Sequence, residues 1–215
     1  MMARVAVGLL VAATVRAEES ATVCNIRDHG AVGDGSHLDT AALNACIKLG
    51  AGVTILVPAV AGSCGHHNLS SCYLTGAINL TSHQTLRIEK GAGLIGSVHL
   101  DKSQSPPDCS HCSWDLQHYP RLPSLPSYDD ARYAALVSSY NATGVRIEGE
   151  GLLDGQGWAL WPDHVQSNLT AQRPHLVELY SCTKCVVEDV VLRNSAFWTL
   201  HVRCYTAASL CDCVG

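Results

Sequence analysis

Closely spaced cysteines are the residues of this 215-residue chain whose spacing most directly suggests chemistry. Thiolates two or three positions apart can share one zinc ion. The pairs with that spacing are Cys109/Cys112, Cys182/Cys185 and Cys211/Cys213. No two of these pairs look like halves of one zinc finger, and an oxidising compartment would convert such thiols to disulfides. We therefore predict no metal site, and a local disulfide between Cys64 and Cys72, which flank a Gly/His/Asn-rich insertion.

The first residues indicate such a compartment, because they have the pattern of a secretory signal peptide. A positively charged start and a short apolar run precede a small-residue cleavage site at Val15-Arg16-Ala17. The alternative, a membrane anchor, is disfavoured because the run is shorter than the ~20 residues that span a bilayer. We predict a signal peptide over residues 1–17, one domain over residues 18–215, and secretion to the extracellular space or cell wall. The eleven cysteines all follow Ala17, which agrees with export, and their odd number leaves at least one outside an intramolecular pair.

The net charge of the chain indicates which classes of binding partner are compatible with it. The chain carries 14 Lys and Arg against 19 Asp and Glu, and its net charge of −5 argues against nucleic acid. An acidic polysaccharide is not excluded as a partner, because its binding needs only a local cluster of cationic side chains. Four sequons are compatible with a glycosylated surface, at Asn68, Asn79, Asn141 and Asn168.

One helix and many short strands are predicted for the mature chain. Asp39 can accept hydrogen bonds from the first free amides, residues Thr40 to Leu49 supply helix formers with one apolar side, and Gly50 supplies a stop. From Val53 onward the sequence consists of short β-rich runs separated by Gly, Asn, Ser and Asp. This pattern leaves two architectures open, an antiparallel sandwich and a stacked parallel solenoid.

Internal similarity favours the solenoid. Residues 145–154 align with residues 185–194 at an offset of 40, and residues 186–190 align with residues 210–214 at an offset of 24. The first offset is larger than the second by about the length of one inserted loop, residues 158–172. A period in the low twenties that contains several short strands is typical of one coil of a β-helix. We predict roughly half a dozen coils, the first covered by the helix, and an end that breaks off in mid-coil. An uncovered apolar end of this kind should not be stable alone.

Six segments carry a resemblance to a known family, and they occur in that family's order over nearly all of the mature chain. They are NIRDHGAVGDG, YLTGAINL, LRIEKGAGLIGS, IEGEGLLDGQGWALW, RPHLVEL and VVLRNSAFWTLHV. The chain resembles glycoside hydrolase family 28, the polygalacturonases with their exo-acting and rhamnogalacturonan-cleaving relatives. The resemblance implies an all-β fold, a right-handed single-stranded parallel β-helix with a short N-terminal capping helix, here truncated at the C-terminal end. It also implies a pectin-type or other acidic polysaccharide as partner, no cofactor, no membrane association, and a monomer when complete.

The resemblance further implies hydrolysis of α-1,4-galacturonide or related linkages with inversion, which needs a protonated carboxylic acid and carboxylates that activate water. In the family these groups come from an Asn-Thr-Asp motif and an Asp-Asp pair one coil later, followed by a Gly-His-Gly and a substrate-binding Arg-x-Lys. None of these four motifs is found at its expected position in this chain. We expect the strand that carries Asn-Thr-Asp beyond Gly215. The chain is therefore predicted to hold no catalytic residue and to be inactive alone. Its own acids are interpreted as structural or solvated, namely Asp129-Asp130, Asp154, Glu188-Asp189 and Asp212.

Two other functions stay open on the sequence. One is a non-catalytic β-helix that binds polysaccharide or has a structural role, and the other is a β-helix lyase or epimerase. The LRNSAFWTLH run favours a hydrolase over a lyase, and no acidic cluster of the kind that binds calcium is visible.

Trp198 and His201 are the predicted substrate-binding residues. By coil register, the strand over residues 197–202 lies directly beneath the expected acid-bearing strand, so its outward side chains would form the floor of a sugar subsite. Tryptophan stacks on sugar faces, and histidine donates hydrogen bonds to hydroxyls or carboxylates. The alternative is that both side chains are packed in the solenoid or under a loop. Trp158 and Trp161 are expected to pin their loop to the coil wall.

Overall fold

The computed structural model describes residues 22–65, 68–99, 113–114, 116–122, 131–161, 172–203 and 213–214. The predicted signal peptide and several singled-out residues lie outside this part of the chain: Cys109, Cys112, Asp129, Asp130, Asn168, Cys211 and Asp212. The α-helix is α1 (Thr40–Ile47), and short 3-10 turns cover Ile26–His29, Leu69–Ser71, Leu116–His118 and Gly157–Ala159. The described strands are, in chain order, β1 (Thr22–Asn25), β2 (Val53–Val57), β3 (Tyr73–Thr75), β4 (Ile78–Asn79), β5 (Thr85–Ile88), β6 (Gly93–Gly96), β7 (Val98–His99), β8 (Ser113–Trp114), β9 (Arg121–Leu122), β10 (Arg132–Tyr133), β11 (Val137–Tyr140), β12 (Arg146–Glu148), β13 (Leu152–Asp154), β14 (Val177–Tyr180), β15 (Cys185–Val187), β16 (Val191–Arg193), β17 (Leu200–Arg203) and β18 (Cys213–Val214).

Most of these strands stack in three parallel sheets. Their orders are β1-β2-β5-β12-β15-β18, β4-β11-β14-β17 and β3-β6-β13-β16, whereas β7-β8 and β9-β10 are small antiparallel pairs. A complete coil gives one strand to each sheet, so β11, β12 and β13 are followed one coil later by β14, β15 and β16, whereas β1 at the start adds a strand to the first sheet alone. The predicted right-handed parallel β-helix is confirmed, and the antiparallel sandwich is excluded. The six strands of the first sheet agree with roughly half a dozen coils.

Repeated register aligns the apolar side chains into ladders through the interior. In the first sheet Ile55, Leu86, Ile147 and Val187 lie in register on successive strands. All four are buried, and each such side chain contributes about 1.5–3 kcal/mol through removal of apolar surface from water. The interior of the solenoid therefore needs only one or two apolar residues from each short strand, which explains why long alternation is missing from the sequence.

The predicted offset of 40 is confirmed in the first sheet, where Arg146 pairs with Val186. In the third sheet the offset is 39, because Asp154 pairs with Arg193 and not with Asn194. The turn between the two strands is thus one residue shorter in the later coil, and an alignment without gaps cannot show this.

The predicted offset of 24 is wrong. Val186 pairs with Val214 at an offset of 28, whereas the same two coils pair Val177 with Leu200 at an offset of 23. The expected match of Val190 to Val214 differs from the observed register by four residues. Because side chains alternate with a period of two, a displacement by an even number keeps every residue on its predicted face. A Val-rich sequence therefore gives no signal against such a displacement.

The capping helix begins at Thr40 as predicted but is shorter than predicted. It ends at Ile47, two residues early, and Gly50 follows with a φ of 92°, which glycine adopts without strain. Asp39 makes no side-chain hydrogen bond to the helix. Its carboxylate instead accepts hydrogen bonds from the amides of Val32 at 2.8 Å and Gly33 at 3.2 Å. Asp39 is therefore the N-cap residue as predicted, but the predicted hydrogen bonds from the helix amides are wrong, because the preceding turn uses the carboxylate.

Two disulfides fix the start of the solenoid. Cys24–Cys46 joins β1 to α1, which covers the first coil with its buried face as predicted. Cys64–Cys72 forms the predicted local disulfide. Within the described residues, no helix combines the length and the apolar character needed to cross a membrane.

Candidate functional site

Trp198 lies in the turn between β16 and β17, and 55% of its surface is exposed to solvent. Its ring meets Phe197 edge-on at 6.2 Å between centroids and meets His201 edge-on at 5.3 Å. Phe197 is itself partly exposed. The indole is thus held by two neighbouring rings while more than half of the residue stays exposed to solvent, where it can contact a ligand.

His201 lies on β17 beside the same indole but is mostly covered, with 8% of the residue exposed. Its ring stacks on His175 at 4.3 Å between centroids. The register of β14 with β17 places Glu178 opposite His201, with Nδ1 3.5 Å from the Glu178 Oε1. The two predicted residues are therefore brought together, but only Trp198 is extensively exposed.

Glu178 is the centre of a buried polar cluster that the sequence did not predict. Its side chain is fully buried, and the side chain of Arg132, from β10, is 1% exposed with Nε 3.3 Å from Oε1. Tyr140, at the end of β11, donates its hydroxyl to Oε2 at 2.5 Å. Burial, and after it the charge of Glu178, raises the pKa of Tyr140, so this hydroxyl stays protonated and acts as a donor. A buried charge persists only where it is paired and hydrogen-bonded, and here both conditions are met.

His175 precedes β14 and lies between aromatic rings. It stacks on His201 and, at 5.3 Å between centroids, on Phe197. Both of its ring nitrogens are buried and have no hydrogen-bond partner. The pKa of His175 is lowered to about 4, mainly by burial; the Glu178 charge acts in the opposite direction and the Arg132 charge adds to the lowering. Burial also lowers the pKa of His201, with a second contribution from the charge of Arg203.

Solved structures share this fold at low sequence identity. The family 28 exopolygalacturonase of Yersinia enterocolitica superposes with a TM-score of 0.53 at 20% identity, covering 85% of this chain and 36% of that protein. The hyperthermoactive exopolygalacturonase of Thermotoga maritima superposes with a TM-score of 0.57 at 21% identity, covering 84% and 43%. At these identities the likeness establishes the β-helix architecture.

Curated relatives supply the sequence-level relationship. A protein named "Probable polygalacturonase" from Vitis vinifera is 32% identical over 187 residues, which are 81% of this chain and 33% of the relative. An exo-poly-alpha-D-galacturonosidase from Dickeya chrysanthemi is 34% identical over 137 residues, 63% of this chain and 20% of the relative. The chain is a family 28-like protein. No family model matches its sequence.

The family 28-like chain spans about a third of the Vitis relative and a fifth of the Dickeya relative. Two of its acids, Asp154 and Glu188, are paired with arginines. Asp154 was expected in a turn but is the buried last residue of β13, and it accepts hydrogen bonds from Arg193 at 2.7 Å and Asn194 at 3.0 Å. Glu188 pairs with Arg146 on the outer face of the first sheet. Both acids contribute to the structure of the coil, which agrees with the role expected for them.

Aromatic and cationic groups surround the Trp198 turn. Trp161 donates its indole N–H to the carbonyl of Ser195 at 3.1 Å, and Trp158 is buried, so both tryptophans fix their segment to the coil as expected. The guanidinium carbon of Arg173 lies 5.3 Å from the ring centroid of Phe197. A positive charge therefore adjoins the exposed aromatic pair.

The Cys182/Cys185 pair lies inside the solenoid, with Cys182 in the turn after β14 and Cys185 at the start of β15. Both residues are buried, and the Cys182 thiol donates to the carbonyl of Ser139 at 3.3 Å. A hydrogen bond with Cys185 lowers the pKa of Cys182 to about 6. Neither residue belongs to a group of three metal-ligating side chains within the described residues.

Proposed function

We propose that this family 28-like chain is the N-terminal part of a secreted polygalacturonase-type glycosidase that hydrolyses pectin-type polysaccharide with inversion. The observation that carries the proposal is the open indole of Trp198 beside a cluster of buried polar side chains, in a chain whose relatives are named polygalacturonases. The acids of the inverting pair are assigned to sequence beyond Gly215. The chain alone is then a sugar-binding surface without hydrolytic activity.

In this proposal one sugar residue stacks on Trp198. His201 contributes a hydrogen bond from the small part of its ring that reaches the surface, and its orientation is fixed by Glu178 at 3.5 Å. Arg173, which contacts Phe197 at the same patch, offers a positive charge to a uronate carboxylate. An acidic polysaccharide supplies both groups, a flat apolar sugar face and a carboxylate.

Replacing Trp198 with alanine is expected to weaken binding of polygalacturonate oligosaccharides by about five- to tenfold, because a stacked ring contributes roughly 1–1.5 kcal/mol. Isothermal titration with the purified protein measures the change. Trp161→Ala is the matched control, since Trp161 is also exposed (46%) but its N–H is bonded to Ser195. Equal affinity of Trp198→Ala and the parent protein would remove the proposed stacking site.

Binding and hydrolysis can be measured separately on immobilised polygalacturonate. The chain ending at Gly215 should be retained on immobilised polygalacturonate without releasing new reducing ends. If it releases reducing ends, the assignment of the acids to later sequence is wrong. The nucleotide sequence after Gly215 gives an independent test, because an open frame should encode Asn-Thr-Asp followed within two coils by Asp-Asp.

Export and glycosylation belong to the same proposal. We expect the secreted protein to begin near Glu18 and to carry glycans at Asn79 and Asn141, which are exposed, in preference to Asn68. The amide of Asn68 donates to the carbonyl of Gly62 at 2.7 Å and is tied into its loop. Mass spectrometry of the protein recovered from the medium checks the new N-terminus and the modified peptides. A chain that retains residues 1–17, or that carries its glycan on Asn68 alone, would contradict this expectation.

A further inference from the structure

We propose that His175, Glu178 and His201 form a binding site for one divalent transition-metal ion, for which zinc is the reference ion. The three residues come from the segment before β14, from β14 itself and from the neighbouring strand β17. Two imidazoles and one carboxylate are a common ligand set for zinc and for iron. His201 also belongs to the proposed sugar-binding patch, but metal binding is measured without sugar, so failure of this proposal and failure of the proposed function can be told apart.

The distances between the ligand atoms fit a shared ion. One ligand atom from each residue lies within 4.8 Å of the other two. His201 Nδ1 and Glu178 Oε1 are 3.5 Å apart, which is longer than the roughly 2.7–3.2 Å of an N–H···O hydrogen bond. Two ligand atoms that each lie about 2.0–2.1 Å from a tetrahedral zinc are separated by about 3.3 Å. The observed spacing is therefore closer to that of two atoms bound to one ion.

His175 supplies the second, independent observation. It is 2% exposed, and neither ring nitrogen has a hydrogen-bond partner. A neutral imidazole carries one N–H donor and one lone-pair acceptor, and leaving a buried polar group unsatisfied costs about 1–3 kcal/mol. A metal ion would satisfy the lone pair directly. Burial holds the imidazole neutral, which is the form that binds metals.

The contacts of Glu178 both support the site and limit its affinity. The Tyr140 hydroxyl and the Arg132 guanidinium orient the carboxylate, as the outer partners of metal ligands commonly do. The Arg132 charge also repels a cation, and this repulsion is strong in a buried site. We therefore expect a dissociation constant on the order of micromolar, weaker than that of structural zinc sites.

The test is a zinc titration of the full, untagged protein, followed with a competing chromophoric chelator. We expect one equivalent of zinc per chain, and His175→Phe should weaken this binding at least tenfold. Phenylalanine keeps a ring between Phe197 and His201 but removes both nitrogens. Circular dichroism of the variant separates loss of the site from loss of the fold. His83→Phe, at an exposed histidine away from the cluster, is the matched control and should bind zinc like the parent protein.

Cobalt substitution identifies the ligands. Cobalt held by two imidazoles and a carboxylate should give visible d–d bands without the near-ultraviolet charge-transfer band of thiolate ligands. That band, if it appeared, would move the metal to Cys182 and Cys185 and overturn the assignment. The proposal also fails if zinc binding is no stronger than nonspecific surface binding, or if a folded His175→Phe variant binds zinc like the parent protein.

Discussion

Replacing Glu178 with glutamine is expected to lower the free energy of unfolding by about 3–5 kcal/mol, because the change leaves the buried Arg132 charge without its counter-charge. The two side chains are 0% and 1% exposed, so water cannot take over the solvation of the guanidinium. The Gln amide can still accept the Tyr140 hydrogen bond, which confines the loss mainly to the charge pair. Urea unfolding in the presence of EDTA measures the effect without any contribution from bound metal.

A control variant and a double variant test whether the loss of stability comes from the buried ion pair or from a general sensitivity of the fold to substitution. Glu188→Gln breaks an ion pair with Arg146 whose side chains are 45% and 41% exposed, and should cost no more than about 1 kcal/mol. Arg132→Met combined with Glu178→Leu removes both charges, and should be less destabilising than Glu178→Gln alone. Similar losses for Glu178→Gln and Glu188→Gln would show that the buried pair contributes little.

The repeating part of the fold could be predicted from sequence because each coil depends on local pattern. Short strands such as β12 (Arg146–Glu148) place one or two apolar residues inward, and the next coil repeats the pattern 40 residues on. The length of the connecting turns could not be predicted in the same way. The correct offset between Val186 and Val214 is 28, and the predicted 24 differs by an even number that preserves the faces of all strands. The length of each turn is determined by tertiary packing, and it produces no periodic pattern in the sequence.

The candidate site was predicted only in its exposed part. Trp198 was predicted as an outward side chain of a strand over residues 197–202; the structure places it in the turn before that strand, which begins at Leu200. Glu178 could not be found in this way, because an acid between the inward apolar residues Val177 and Leu179 is the pattern of an ordinary outward-facing strand position. Its partner Arg132 precedes it by 46 residues in a two-residue strand, and no spacing rule connects the two. The pairing arises where β10 meets the second sheet, so only the folded chain reveals it.

Lowering the pH from 6.5 to 4 is expected to remove about 3 kcal/mol of folding free energy through His175 alone. The pKa of this residue in the folded protein is about 4, against 6.5 for an ordinary histidine. Between these values the unfolded chain binds a proton that the folded chain does not, so stability rises with pH through this window and falls as acid is added. A difference of one between the folded and unfolded pKa values corresponds to about 1.4 kcal/mol. The groups that face the ring are Glu178, whose charge raises its pKa, Arg132, whose charge lowers it, and the stacked His201.

His175→Phe removes this titration and keeps a ring in the same place, so the variant should lose about 3 kcal/mol less than the parent protein over the same pH range. Urea unfolding at half-unit pH steps, with EDTA throughout, gives both curves. Leu176→Ala is the control: it destabilises the neighbouring core position, which is 1% exposed, without changing a titratable group. Its curve should therefore lie below that of the parent protein and parallel to it. If His175→Phe instead runs parallel to the parent, the proton uptake of the unfolded chain in this range comes from other residues, and the ring nitrogens of His175 are solvated in the folded protein.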